Sequence, residues 1–212
     1  MIAKEGRFIL CGLLLFLFPF GIYVHASEIK ILYYLYLLFG SFYIFTIYFF
    51  RDPLRKIPFD TSAILSPADG RVVSINTVND DDIGDSSQVI SIFLSIFDVH
   101  AFRYPFDGKI KSVNNKNGSF IAAFNHNASE VNEQIVTVVE SNNFTLKIKQ
   151  IAGLVARRIL CYAKPNEVVQ KGDRMGFIRF GSRADIVVSS KIKVCVNVGE
   201  KVKAGESVIA RI

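Results

Sequence analysis

The sequence predicts a mainly β protein, with a strand-rich sandwich- or barrel-like domain containing few short helices, preceded by an α-helical membrane hairpin. Three observations predict it. The aromatic residues are crowded at one end, where residues 1–50 hold 15 of the 19 Phe and 8 Tyr. That same stretch contains two long apolar runs without charge. The rest of the chain reads as short apolar or alternating runs broken by Gly, Asn and Asp, with no helix-period segment as long as a dozen residues. At 50% apolar residues, 212 residues can bury a core, so a disordered chain and a small cysteine-stapled scaffold are both excluded.

Phe8 to Val24 holds 14 apolar residues in 17, and Ile31 to Phe50 holds 17 in 20. As helices rising 1.5 Å per residue they reach about 26 and about 30 Å, the thickness of a bilayer core. Pro19 predicts a kink in the first. Only His25 to Lys30 connect them, so two helices about 8–24 and 31–50 must run antiparallel with both outer ends on one side. Lys4 and Arg7 flank one end, and Arg51, Arg55 and Lys56 flank the other. The positive-inside rule then places the following domain on the cytoplasmic face of the inner membrane. A secretory signal ending near Val24-His25-Ala26 competes, but the second apolar run follows at once with flanking charges of its own. Residues 1–52 are assigned to the hairpin and 53–212 to the domain.

The domain should contain strands at Arg71–Val78, Gln88–Ser95, Gly108–Val113, Glu133–Glu140, Phe144–Ile151, Arg158–Ala163, Met175–Phe180, Ile186–Ser189 and Ile192–Val198, with a short helical turn at Ser119–Asn125. The 22 basic and 17 acidic residues of 51–212 are too evenly mixed for nucleic-acid binding and give at most a weak pull toward an anionic lipid surface. Cys11, Cys161 and Cys195 stand apart, and only His25, His100 and His126 could complete a metal site, so no metal is expected. Reduced thiols are expected, with Cys161 and Cys195 as small core residues. Val168–Gly176 and Val198–Glu206 echo each other as paired hairpins. That pattern is similar to lipoyl and biotinyl carrier domains and implies an alternative, a non-catalytic membrane-tethered carrier or adaptor. Neither of the lysine tripeptides expected of such carriers, Met-Lys-Met or Asp-Lys-Ala, occurs.

Four stretches set polar residues in unusual surroundings. Leu65-Ser66-Pro67-Ala68-Asp69-Gly70 puts a carboxylate at a Pro/Gly-bounded turn, which by itself reads as an Asx turn. Phe93 to Pro105 carries Asp98, His100 and Arg103 in an apolar run, and an extended chain would aim Asp98 and His100 to one side. A structural imidazole is the plain reading; a proton carrier near neutral pH is the functional one. Arg157 and Arg158 beside Ala152–Ala156 form either a solvated face or a phosphate clamp. Phe180-Gly181-Ser182 follows a strand abruptly.

Together, Leu65-Ser66-Pro67-Ala68-Asp69-Gly70, Asp98-Val99-His100 in an aromatic-rich segment, Phe180-Gly181-Ser182 near the carboxyl end, and Phe49-Phe50-Arg51-Asp52-Pro53 after a hairpin resemble the short form of phosphatidylserine decarboxylase. The likeness runs in order along essentially the whole chain. It implies a catalytic domain that decarboxylates phosphatidylserine to phosphatidylethanolamine and CO2. It also implies self-cleavage between Gly181 and Ser182, giving a β chain of residues 1–181 and an α chain of residues 182–212 that starts with a pyruvoyl group made from Ser182. Neither pyridoxal phosphate nor metal is then needed. Removing CO2 from an α-amino acid requires an electron sink on its amine, which no ordinary side chain supplies.

The resemblance assigns Asp69 to self-cleavage and His100 to proton handling. The family's second His, which the resemblance associates with activating the Ser, falls at Arg103, and a guanidinium cannot act as a base. Either His100 then covers both roles or the bond is activated by strain and by hydrogen bonds to its carbonyl. Arg103 is a candidate for holding substrate phosphate or carboxylate, with Arg157 and Arg158. The partners implied are phosphatidylserine in a membrane and the two chains of one precursor. Homo-oligomerisation is left open.

Overall fold

The computed structural model describes residues 1–121, 128–141, 144–154, 158–179 and 181–212. Arg157 and most of the expected turn at Ser119–Asn125 lie outside them. Contacts divide the chain into a unit of residues 1–54 and a unit of residues 55–212.

In the first unit, α1 spans Lys4–Ser27 and α2 spans Lys30–Phe49. The turn is tighter than the sequence suggests. The helix runs on through His25 and Ser27 and stops where Glu28 takes a left-handed conformation at φ 51°. Pro19 lies inside α1 without ending it. Aromatic contacts join the helices, with Phe16 and Phe39 centroids 5.7 Å apart and Phe20 and Tyr36 centroids 6.2 Å apart. The outer ends are tied by Ala3 N–H donating to the Phe50 carbonyl and Asp52 N–H to that of Met1, each at 2.7 Å. Both helices are long and apolar enough to cross a membrane.

The second unit is mainly β, as the alternation predicts. Its strands are β1 (Ala63–Leu65), β2 (Gly70–Asp80), β3 (Gly84–Leu94), β4 (Ala101–Arg103), β5 (Gly108–Lys116), β6 (Gln134–Glu140), β7 (Thr145–Ala152), β8 (Ile159–Cys161), β9 (Val168–Val169), β10 (Arg174–Ile178), β11 (Ser182–Val188), β12 (Lys193–Val194), β13 (Lys201–Val202) and β14 (Val208–Arg211). One helical turn, α3, covers Ala128–Val131. A curled eight-stranded antiparallel sheet runs β13-β2-β3-β11-β7-β6-β5-β9, and two three-stranded sheets run β4-β10-β8 and β1-β14-β12. Period-two alternation builds the core: Ile90, Ile92 and Leu94 of β3, Ala184, Ile186 and Val188 of β11 and Ile148 of β7 join one apolar cluster.

β11 differs most from the sequence reading. It starts at Ser182, four residues before the apolar run at Ile186, and takes a charged pair into the middle of the sheet. The reason is that the pair is satisfied there. Arg183 Nε donates to Asp185 Oδ1 at 2.9 Å, and Nη2 donates to Ser91 Oγ at 2.7 Å. Both residues are buried, at 3% and 1% exposure.

The echo segments are not hairpins. β9 pairs with β5 while β10 pairs with β4 and β8; β13 pairs with β2 while β14 pairs with β1 and β12. Each segment hands the chain from one sheet to another. Cys161 is half-buried, and Cys195 is exposed, not a core residue.

Removing one partner of a buried ion pair costs about 3–5 kcal/mol, because the other charge is left uncompensated. Arg183→Met is therefore expected to lower stability by about that amount, and Arg183→Met with Asp185→Leu to recover much of it. Thermal unfolding of the full chain in detergent reads the cycle. Additive losses would show that the pair is not coupled.

Candidate active site

Arg71 pairs with Phe93 and Phe93 with Arg183, so Gly70, Leu94, Ser182 and Ala152 share one row near the end of the large sheet. Loops leave the sheet from this row, and four of the stretches singled out by sequence meet around it.

Gly181 precedes β11 at φ +67°, in the left-handed region. A Cβ there would meet nothing within 4 Å, so the preference for glycine is conformational and not steric. Ser182 is fully buried, and its Oγ has no hydrogen-bond partner among the described residues. A hydroxyl held dry and unpartnered is unusual, because most buried polar atoms find partners. Pleating points Ser182 to the same face as Ala184 and Ile186, toward the core.

His100 is fully buried just before β4. Its Nε2 accepts the Gly181 N–H at 3.2 Å, and its Nδ1 lies 2.9 Å from the Asp98 carbonyl. An amide can only donate and a carbonyl can only accept, so the ring carries its proton on Nδ1 and a lone pair on Nε2. The side-by-side Asp98 and His100 expected of an extended chain are not found. Residues 95–98 form a turn, in which the Asp98 carboxylate accepts Ser95 N–H at 2.8 Å and Ser95 Oγ–H at 2.7 Å. The His100 Nδ1 meets the backbone carbonyl of Asp98.

Asp69 sits beside the row, engaged elsewhere. Its Oδ1 accepts Arg55 Nη2 and the Ala204 N–H, both at 2.8 Å. Burial pushes its carboxyl up from the usual range, against the pull of Ala204 N–H and the Arg55 guanidinium. Arg55, read from sequence as a charge for the lipid surface, is instead 5% exposed in this pair. Sequence could not show this, since fourteen residues separate the partners. Arg103 is half-buried; its Nη1 donates to the Gly172 carbonyl at 3.0 Å and its N–H to that of Pro67 at 2.9 Å. Arg158 is exposed. The structure thus joins Gly181, Ser182 and His100 directly and places Asp69 and Arg103 in polar contacts of their own.

One buried residue escaped the sequence reading. Gln150 of β7 is fully buried, and neither atom of its amide has a partner among the described residues. The signal was present: in Leu146, Ile148, Gln150 and Ala152 it is the polar member of the apolar face.

Comparison with known proteins agrees on one family. The phosphatidylserine decarboxylase family model matches residues 42–210. A phosphatidylserine decarboxylase proenzyme of Chlorobium limicola is 43% identical over 168 residues, 79% of each chain. That of Chlorobium chlorochromatii is 44% identical over 170 residues, 80% of each chain. That of Desulfotalea psychrophila is 41% identical over 189 residues, 88% of this chain and 87% of its own.

Forcing a Cβ into the left-handed conformation costs about 1 kcal/mol. Gly181→Ala is expected to fold and to melt slightly earlier by that amount, with space available for the methyl group. An unchanged melting temperature would mean that residue 181 does not hold this conformation.

Proposed function

The chain belongs to the phosphatidylserine decarboxylase family, and from that premise we propose that it converts phosphatidylserine to phosphatidylethanolamine and CO2 with a pyruvoyl group made from its own Ser182. The observation that carries this reading is the junction itself: a left-handed Gly181 followed by a fully buried Ser182 whose hydroxyl has no partner among the described residues. A nucleophile beside a backbone carbonyl, in a stretch shaped for glycine, fits self-cleavage.

The chemistry balances as follows. Ser182 Oγ adds to the Gly181 carbonyl carbon, the Gly181–Ser182 C–N bond breaks, and an ester joins the two chains. Loss of the α-proton of residue 182 with departure of Oγ leaves Gly181 as a carboxylate. Hydrolysis of the remaining enamine takes up one water, releases one ammonia and leaves a pyruvoyl group on the chain of residues 182–212. That group supplies the electron sink that decarboxylation of an amino acid requires.

The chain's own residues bind, orient and move protons. His100 is the proton carrier, supported by the Nε2 lone pair facing Gly181. Asp69 is assigned to chain opening, a role its burial-raised carboxyl supports. Arg158, which is exposed, and Arg103 are the head-group candidates, together with Arg157. The two apolar helices suit a diacyl substrate, which does not leave a bilayer cheaply at about 0.8 kcal/mol per CH2. The working side of the membrane is proposed to be the cytoplasmic face, from the flanking charges.

Intact-mass measurement tests the reading. A chain split into residues 1–181 and 182–212, with a carbonyl-reactive small chain, is expected. A single chain with unmodified Ser182 in active preparations would overturn it and leave the carrier alternative. Ser182→Ala should give an uncut, inactive chain. His100→Ala should slow turnover by at least about 100-fold, within the usual range for general acid–base groups, and slow chain opening less. Equal losses in both steps would refute that division of roles.

A further inference from the structure

Gln150 has no part in the chemistry above, yet its surroundings are costly for it. The amide is fully buried beside Ile148 and Ala152, and an unmet polar group in such a place is destabilising. An aliphatic side chain of the same size would avoid that cost. β10 passes the amide at a glycine: a Cβ at Gly176 would collide with the Leu160 carbonyl oxygen and meet the Gln150 Nε2 at 2.9 Å.

Register connects this orphan to the other one. Ser182 pairs with Ala152 and Ala184 with Gln150, so Gln150 and Ser182 point from the same face of neighbouring strands as diagonal neighbours. Diagonal Cβ atoms lie about 7 Å apart, within reach of a long side chain. β10, the strand facing the amide, also holds His100, through Ile178 N–H donating to the His100 carbonyl at 3.2 Å. Two polar groups without partners among the described residues therefore share one buried face between β7, β10 and β11.

Resting on the reading proposed above, we infer that Gln150 is a positioning residue for position 182 in both of its chemical states. In the uncut chain the two groups are unbonded in this structure, and rotation of the amide brings its carbonyl oxygen to accept the Ser182 hydroxyl hydrogen and aim Oγ. After processing, position 182 presents carbonyl oxygens that can only accept, and the NH2 of the same amide donates to one of them. A carboxamide serves both states because it carries an acceptor and two donors on one side chain. A carboxylate lacks the donor and an ammonium lacks the acceptor.

The test compares Gln150→Leu and Gln150→Met with the wild type and Ser182→Ala, as full chains in mixed micelles with phosphatidylserine. Melting temperature, the time course of cleavage on denaturing gels, and kcat and KM of the cleaved fraction are measured. The expected result is a melting temperature equal to or above that of the wild type, with cleavage at least tenfold slower. The kcat of the cleaved fraction should fall at least tenfold with KM unchanged. Wild-type rates in both steps, losses that accompany lowered melting temperatures in both variants, or a defect in one step alone would overturn the inference. An uncut wild type would instead remove the reading beneath it, an outcome distinct from a cut wild type matched by its variants.

Discussion

β11 enters the large sheet at Ser182 already paired on both sides, to Leu94 of β3 and Ala152 of β7, so the chain must reach that register within one residue of the preceding loop. Gly181 makes the entry in a left-handed conformation. The ladder then fixes everything downstream of the junction, through Val188 against β3 and Val187 against β7. A break between residues 181 and 182 would leave this ladder untouched. The remaining residues also contribute β13 to the edge of the large sheet and β12 and β14 to a second sheet, where β14 lies between β12 and β1. A fragment woven into two sheets has no route out short of unfolding both, so a cut here alters chemistry without releasing a piece of the molecule.

The same strand separates two kinds of buried polarity by its pleat. On one face Arg183 and Asp185 neutralise each other and take up Ser91, a closed arrangement that behaves as part of the scaffold. On the other face Ser182 and, across the ladder, Gln150 have nothing to bond to among the described residues. Buried polar atoms without partners are tolerated where another state of the molecule supplies one. The contrast within five residues is therefore informative: the satisfied face holds the strand, and the unsatisfied face is available for change.

Long alternating runs made much of this architecture legible before any coordinates. β2, β3, β5, β6 and β7 lie where alternation puts them, because one face of each is buried and register is then strongly specified. The strands β1, β4, β9, β13 and β14, of two to four residues, carry too few residues for a period to show. At the site, Gly181, Ser182 and His100 were recognisable from their sequence surroundings. The bond between His100 and Gly181 was not, since it spans 81 positions. Arg55 was misread because a basic residue after an apolar run suggests lipid contact, whereas its actual partner, Asp69, becomes visible only when the loop folds back. Gln150 sits on the apolar parity of β7, a local inconsistency of the kind expected at functional positions.

Arg103 occupies the position where the family resemblance expects a second histidine, and its contacts bear on what must replace that group. Its guanidinium donates to Gly172 and its backbone N–H to Pro67, so it braces the turn before β10 against the segment that carries Asp69. A residue used in this way, permanently protonated, leaves proton acceptance to another group. His100 is suited to it by tautomer: Asp98 takes the Nδ1 proton, which fixes the lone pair on Nε2. That lone pair accepts from the amide of Gly181, one residue before Ser182. On the proposed chemistry, a change in the Gly181 backbone that loosens this bond would present the same lone pair to Ser182 Oγ–H. The left-handed conformation that glycine adopts easily is then the element that, on the proposed chemistry, links the Gly181 backbone to activation of the nucleophile.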